Sequence, residues 1–117
     1  RAIGWDDALP PNVHPELIGD GLYRVINTIS IGLLGPFAEE VFYRGFLLSG
    51  LIRHTGVPSA ILISSFIFAI SHGDISLIIP VFMSGVVLAS VYVKTGSLLP
   101  SFVAHSAQNL LALTTMT

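Results

Sequence analysis

The chain has 117 residues, of which 52% are hydrophobic and only 10% are charged, and its mean hydropathy is +0.80. A soluble domain carries about 25% charged residues, so this composition argues against a soluble globule and indicates a membrane protein. The net charge of −2, without a cluster of Lys and Arg, excludes a nucleic-acid-binding surface, and the lack of cysteine excludes disulfides and thiolate sites.

The first 20 residues differ in character from the rest. They contain Trp5, three prolines and no sustained periodicity, which predicts an irregular segment at the membrane interface. Residues 21–117 are predicted to form one domain. Because the chain begins with Arg1 and not with Met, we expect it to be a fragment of a longer membrane protein.

The first predicted helix contains an internal proline. Apolar residues recur at helical spacing from Gly21 to Leu34, but about 14 residues span only about 21 Å. Gly35-Pro36 follows without loop residues, so we predict one broken helix from about Gly21 to His54, kinked at the proline. Irregular backbone at membrane depth is tolerated where it lines a cavity, so a site is expected beside this break.

The rest of the chain is divided by two turn signals, centred on Gly56 and Gly96. Asp74 is placed to cap a helix, and Pro80 is expected to interrupt that helix. Three further helices are predicted: Pro58 to His72, Ile75 to Lys94 and Leu98 to about Met116. The apolar runs do not alternate with polar residues, so the predicted fold is all-α, a polytopic transmembrane bundle of about four to five helices.

Two adjacent carboxylates and an arginine stand in the first of these helices. Glu40 and Arg44 are four residues apart, so they share a helix face within ion-pairing reach, whereas Glu39 lies about 100° around the axis. The pair alone is consistent with a structural ion pair that locks the kink. The remaining carboxylate is a candidate general base.

Two more helices carry i, i+4 pairs that share a helix face, in Phe68–His72 and in His105–Asn109. Two helices are predicted to end at the same face of the membrane, and these ends define a common level. At 1.5 Å per residue, Glu39 and His72 lie about 21 Å from that level. On the last helix, His105 lies about 16 Å from it and Asn109 about 22 Å. A lone histidine is most often bonded to a carbonyl, and a lone asparagine most often joins helices. Together at one depth, such costly residues predict a functional site.

These side chains suit peptide-bond hydrolysis in two alternative arrangements. In one, a carboxylate and an imidazole remove a proton from water, while a second imidazole and a carboxamide donate hydrogen bonds to the oxyanion. In the other, Glu39 or Glu40 binds Zn²⁺ together with His72 and His105, leaving a position for water. The spacing of these residues does not separate the two.

Three motifs in order resemble those of a known family. EEVFYR from Glu39 resembles EExxxR, FAISH from Phe68 resembles FxxxH, and HSAQN from His105 resembles HxxxN. These are the motifs of the CAAX-protease and bacteriocin-processing family of intramembrane proteases, also called the Abi family. The similarity covers about the last four-fifths of the chain and implies an intramembrane protease core over residues 21–117. Family members process prenylated CAAX proteins or are implicated in bacteriocin maturation and self-immunity.

The resemblance also implies roles for the motif residues. Glu39 would be the general base that activates water with His72, and His105 with Asn109 would stabilise the oxyanion. Glu40 and Arg44 would orient the site. The family is commonly labelled as metalloproteases, while a metal-independent glutamate mechanism is equally compatible with these side chains.

The sequence therefore predicts an intramembrane endopeptidase whose partners are membrane lipid and a peptide or protein substrate, such as a prenylated one. Its expected location is the plasma membrane of a prokaryote. The alternative is a non-catalytic membrane protein that binds a partner, for example as an immunity factor, through the same polar cavity. Proton or cation transport ranks last, because the sequence shows no inverted repeat.

Overall fold

The computed structural model describes residues 20–115, and this part of the chain is helical without any strand. The interfacial segment predicted for residues 1–20 therefore lies, apart from Asp20, outside the described residues. Four helices follow one another: α1 is Leu22–Thr55, α2 is Val57–Ser71, α3 is Ile75–Thr95 and α4 is Leu98–Thr115. The all-α prediction is confirmed, and the bounds of α2 to α4 agree with the predicted ones to within one residue.

Two of the four helices are long and apolar enough to cross a membrane. Helix α1 has 34 residues with a mean hydropathy of 1.2, and α3 has 21 residues with a mean hydropathy of 2.2. Helix α2 is also apolar but has only 15 residues. Since hydrocarbon is about 30 Å thick and a residue rises 1.5 Å, about 20 residues suffice to span it. Helix α1 thus has ample length to hold a site at membrane depth.

Helix α1 differs from the predicted broken helix because the chain stays helical through Gly35-Pro36. Leu34 and Gly35 both keep right-handed helical dihedrals, with φ of −67° and −59°. The irregularity takes the form of two π-helical segments, Ser30–Leu34 and Val41–Leu48. A proline ring clashes with the carbonyl four residues before it, and the wider π turn relieves this clash without ending the helix.

The start of α3 accommodates the predicted cap and also Pro80. Asp74 accepts hydrogen bonds from the Ser76 backbone N–H at 2.9 Å and from the Ser76 hydroxyl at 2.7 Å. These bonds stabilise the carboxylate and lower the pKa of Asp74. A 3₁₀ turn follows, and Pro80 is the third residue of the α-helical part, Ile78–Thr95. Because a first helical turn tolerates proline, the expected interruption does not occur.

Small residues let the helices approach one another closely. A Cβ atom added at Gly85 of α3 would lie 3.1 Å from Phe68 Cδ1 and 3.2 Å from Ser65 Cβ of α2. Below this contact, Leu48 of α1 and two alanines of α2 and α3 form a fully buried core. Small side chains favour close helix packing in membranes. This packing brings the α3 backbone within reach of polar groups on α1.

Candidate active site

The imidazole of His105, on α4, stands between the two adjacent carboxylates of α1. Its Nδ1 lies 2.7 Å from Glu40 Oε1, and its Nε2 lies 3.2 Å from Glu39 Oε2. Consecutive helical residues point about 100° apart, which allows the two carboxylates to reach opposite nitrogens of one ring. The first and third motifs, far apart in sequence, thus meet in space.

Glu40 and Arg44 form the ion pair that their spacing predicts. Arg44 Nη1 donates to Glu40 Oε1 at 3.1 Å, and Arg44 Nη2 donates to the carbonyl oxygen of Gly85 at 3.0 Å. The side chains are only 2% and 1% exposed, so both charges are almost fully removed from solvent. A buried charge requires such compensation, and here the arginine connects the α1 carboxylate to the α3 backbone.

Phe68 contacts residues of all three motifs. The Arg44 guanidinium carbon lies 4.7 Å from the centroid of its ring, within range of a cation–π interaction. The same ring makes edge contacts with the rings of His105 at 5.8 Å and His72 at 4.8 Å. The i, i+4 spacing of Phe68 and His72 predicts that they share a helix face, but it does not predict the contacts with Arg44 and His105.

His72 lies beside Phe68 and forms no hydrogen bond with Glu39 or Glu40 in the described part of the chain. Its Nδ1 is 2.8 Å from the Phe68 carbonyl oxygen. A carbonyl only accepts, so Nδ1 carries the proton, and in the neutral ring Nε2 is left as an acceptor. The carbonyl-bonded histidine considered from sequence is therefore what the structure shows, with one ring nitrogen still available.

Asn109 lies at the contact between α4 and α1, one helical turn after His105. Its Nδ2 donates to the carbonyl oxygen of Ile31 at 2.9 Å, and the residue is half-buried. The amide group has two N–H donors, so this bond uses one and leaves the other. Asn109 thus joins two helices and keeps a donor for a further partner.

Exposure separates the two carboxylates. The Glu39 side chain is 38% exposed, whereas that of Glu40 is 1% exposed. A cavity of about 300 Å³ adjoins Glu40, and its lining residues are otherwise all apolar. The lining residues are Phe37, Glu40, Val41, Leu98, Leu99 and Phe102. Glu39 is accessible to a reactant, and an apolar group can bind beside the pair.

Of the predicted zinc ligands, Glu39 and His105 are in contact, but His72 does not join them in a group of three that could hold a metal in the described part of the chain. No three His, Asp or Glu side chains within residues 20–115 are grouped so as to hold a metal ion. Both ring nitrogens of His105 face carboxylates, so neither offers a free lone pair to a metal. The donor geometry does not fit this zinc set.

Comparison with known proteins gives one family match. A family model described as type II CAAX prenyl endopeptidase Rce1-like matches residues 21–111, which include the three motifs. No curated protein and no solved structure gives a significant match. The match covers most of the chain and confirms the resemblance seen in the motifs. The chain therefore belongs to the Rce1-like family of type II CAAX prenyl endopeptidases, which are membrane-embedded proteases.

Proposed function

We propose that this chain is the catalytic core of an intramembrane endopeptidase in which Glu39 activates water to cleave a prenylated, CAAX-type peptide. The observation that carries the proposal is the contrast between the two carboxylates on His105. Glu40 is buried and bonded to Arg44, whereas Glu39 is 38% exposed. A general base must reach the proton that it removes, and only Glu39 satisfies this requirement.

His72 is the partner that completes the water site in this proposal. Because its Nδ1–H is held by the Phe68 carbonyl, its Nε2 is oriented as an acceptor. An acceptor nitrogen and an accessible carboxylate bind the two protons of one water molecule. Glu39 takes one proton as the water oxygen attacks the carbonyl carbon of the scissile peptide bond.

His105 and Asn109 serve as the donors to the resulting oxyanion. With His105 carrying both ring protons, its charge and that of Arg44 balance those of Glu39 and Glu40. This neutral group of four is favoured in apolar surroundings over one with a net charge. As Glu39 accepts the proton from water, it releases Nε2–H of His105, which then donates to the oxyanion.

The reaction closes without any further reactant. The proton on Glu39 passes to the nitrogen of the scissile bond, the C–N bond breaks, and the oxyanion returns to a carbonyl. The carboxylate of Glu39 is regenerated and pairs again with His105. The cavity beside Glu40 is lined almost entirely by apolar surface, which is consistent with a hydrophobic substrate.

The test is cleavage of a fluorogenic prenylated CAAX peptide by the full-length protein in detergent. Glu39→Ala removes the base, and turnover should fall by about 10²- to 10⁴-fold. Asp20→Asn is the control, because Asp20 is an exposed carboxylate outside the helices and should leave turnover unchanged.

Turnover retained by Glu39→Ala would overturn the proposal. A folded wild-type protein that binds such peptides but cleaves neither prenylated nor unprenylated ones would favour the non-catalytic alternative, a binding or immunity protein. Cleavage of unprenylated peptides only would leave the protease and remove the prenyl requirement. Residence in a prokaryotic plasma membrane stays a prediction.

A further inference from the structure

Pro36 leaves one carbonyl of α1 without its usual helical donors. The backbone N–H of Gly35 donates to the Ser30 carbonyl, five residues earlier, and so completes the π segment. Pro36 has no N–H. The residues four and five positions after Ile31 therefore do not donate to the Ile31 carbonyl, although helices satisfy their carbonyls through these two positions. A carbonyl in this state requires another partner.

The partner is the side chain of Asn109, whose Nδ2 lies 2.9 Å from Ile31 O. The two helices approach closely at this point, because a Cβ atom added at Gly32 would overlap the Leu110 side chain. Glycine at position 32 thus lets the α1 backbone come near the residue that follows Asn109. The Ile31 carbonyl, which lacks a helical donor, therefore lies where α1 and α4 approach closely, and the Asn109 side-chain amide bonds to it there.

We propose that Pro36 is a positioning residue, which keeps the Ile31 carbonyl free so that it anchors the Asn109 amide in its donating orientation. The inference rests on the proposed role of Asn109 as an oxyanion donor. A carboxamide has an oxygen and a nitrogen of nearly equal size, and a carbonyl partner selects the nitrogen. With one N–H fixed on Ile31, the second N–H is oriented toward a further acceptor, and the amide oxygen is kept away from the developing negative charge.

A residue with an N–H at position 36 would compete with Asn109. Its N–H can donate to the Ile31 carbonyl in π geometry or to the Gly32 carbonyl in α geometry. Without the clash of the proline ring, the π segment also loses the reason for its wider turn. The amide of Asn109 would lose its anchor and rotate between orientations. This change affects the transition state rather than substrate binding, so it should appear in kcat and not in KM.

The experiment compares Pro36→Ala and Pro36→Val in the full-length protein, with cleavage of the prenylated peptide as readout. Pro36 is fully buried, and both variants introduce an N–H there, alanine with a side chain smaller than that of proline and valine with a larger one. Both variants should lower kcat by roughly 10-fold or more with KM unchanged, against about 10²- to 10³-fold for Asn109→Ala. The exposed Pro80→Ala should leave both constants unchanged.

A double-mutant cycle shows whether Pro36 acts through Asn109. In an Asn109→Ala background, Pro36→Val should change kcat by less than about 2-fold, because the group that Pro36 positions is already gone. Multiplicative losses would overturn the inference, as would full activity of Pro36→Val when Asn109→Ala is impaired. If Asn109→Ala keeps full activity, the proposed oxyanion role fails, and the catalytic part of the inference fails with it.

A second readout reports the anchor itself, independently of activity. In protein labelled with ¹⁵N-asparagine, the side-chain NH₂ signal of Asn109 is assigned by its loss in Asn109→Ala. In the wild type, one of its two protons should exchange slowly with solvent, and in Pro36→Val both should exchange fast. Slow exchange of one proton in both proteins would show that the anchor does not depend on Pro36 and would overturn the inference.

Discussion

The guanidinium carbon of Arg44 lies 4.7 Å from the centroid of the Phe68 ring, while the same guanidinium donates to Glu40 and to the Gly85 carbonyl. Three helices therefore meet at one cation. The electron-rich face of the phenyl ring provides electrostatic contact in addition to these two hydrogen bonds. The orientation of Glu40, and through it of His105, depends on this arrangement.

Replacing Phe68 should impair catalysis more than substrate binding. Phe68→Leu keeps an apolar side chain but removes the cation–π contact, worth about 2 kcal/mol when desolvated, and the edge contacts with His72 and His105. We expect kcat to fall by about 10-fold with little change in KM, measured on the prenylated peptide. Phe66→Leu on the same helix is the control, because Phe66 is 53% exposed and should be insensitive. Equal effects of the two substitutions would contradict this role.

Removing Arg44 should destabilise the protein itself. In Arg44→Met, Glu40 stays 1% exposed and loses its arginine partner, and breaking such a buried pair costs about 3–5 kcal/mol in the free energy of unfolding. Unfolding in detergent, followed by circular dichroism, measures the loss. The exposed Arg53→Met should change stability by less than about 0.5 kcal/mol. A loss of unfolding free energy no larger in Arg44→Met than in Arg53→Met would show that the Glu40–Arg44 pair does not stabilise the protein.

Chelation should leave turnover unchanged. This expectation follows from the donors, since both ring nitrogens of His105 face carboxylates and His72 is bonded to a backbone carbonyl. The measurement is the cleavage rate after exhaustive dialysis against EDTA, and then after Zn²⁺ is added back. Loss of activity on dialysis with recovery on Zn²⁺ would favour the zinc arrangement and show that the histidines regroup around a metal.

The cap of α3 should respond to acid. Hydrogen bonds from Ser76 lower the pKa of Asp74 from its ordinary value of 3.8, so the ionised carboxylate favours the folded state. This contribution is present above pH 3.8 and is lost as the pH falls through the lower folded-state pKa. Asp74→Ala should therefore lower Tm at pH 7, and the difference from the wild type should shrink below pH 3.8. A difference that is the same at both pH values would show that the charge is irrelevant to the cap.

Local rules account for what the sequence predicts well. The pairing of Glu40 with Arg44 needs only i, i+4 spacing, and the turns at Gly56 and Gly96 need only positive φ, which the structure gives as 81° and 66°. The meeting of Glu40 with His105 needs two residues 65 positions apart to be matched. Counting residues along the helices predicts that these polar side chains lie at one depth. It does not predict which ring nitrogen faces which carboxylate.

Backbone hydrogen bonds are the part of the site that the motifs do not predict. The carbonyl oxygens of Ile31, Phe68 and Gly85 accept from Asn109, His72 and Arg44, respectively. Every residue has a carbonyl, so residue type gives no signal for which one is used. The π segment Ser30–Leu34 is equally hidden, because it expresses the relief of the Pro36 clash and not a propensity of the residues within it.

Helix α1 carries both carboxylates and the Ile31 carbonyl, and each of these three groups bonds to α4 through either His105 or Asn109. Sliding or tilting of α1 against α4 would therefore break all three bonds in one movement. The proposed base and the proposed oxyanion donors are therefore engaged together or released together, and a half-assembled centre is suppressed. In the proposed mechanism, hydrolysis is consequently an all-or-none property of a single helix contact.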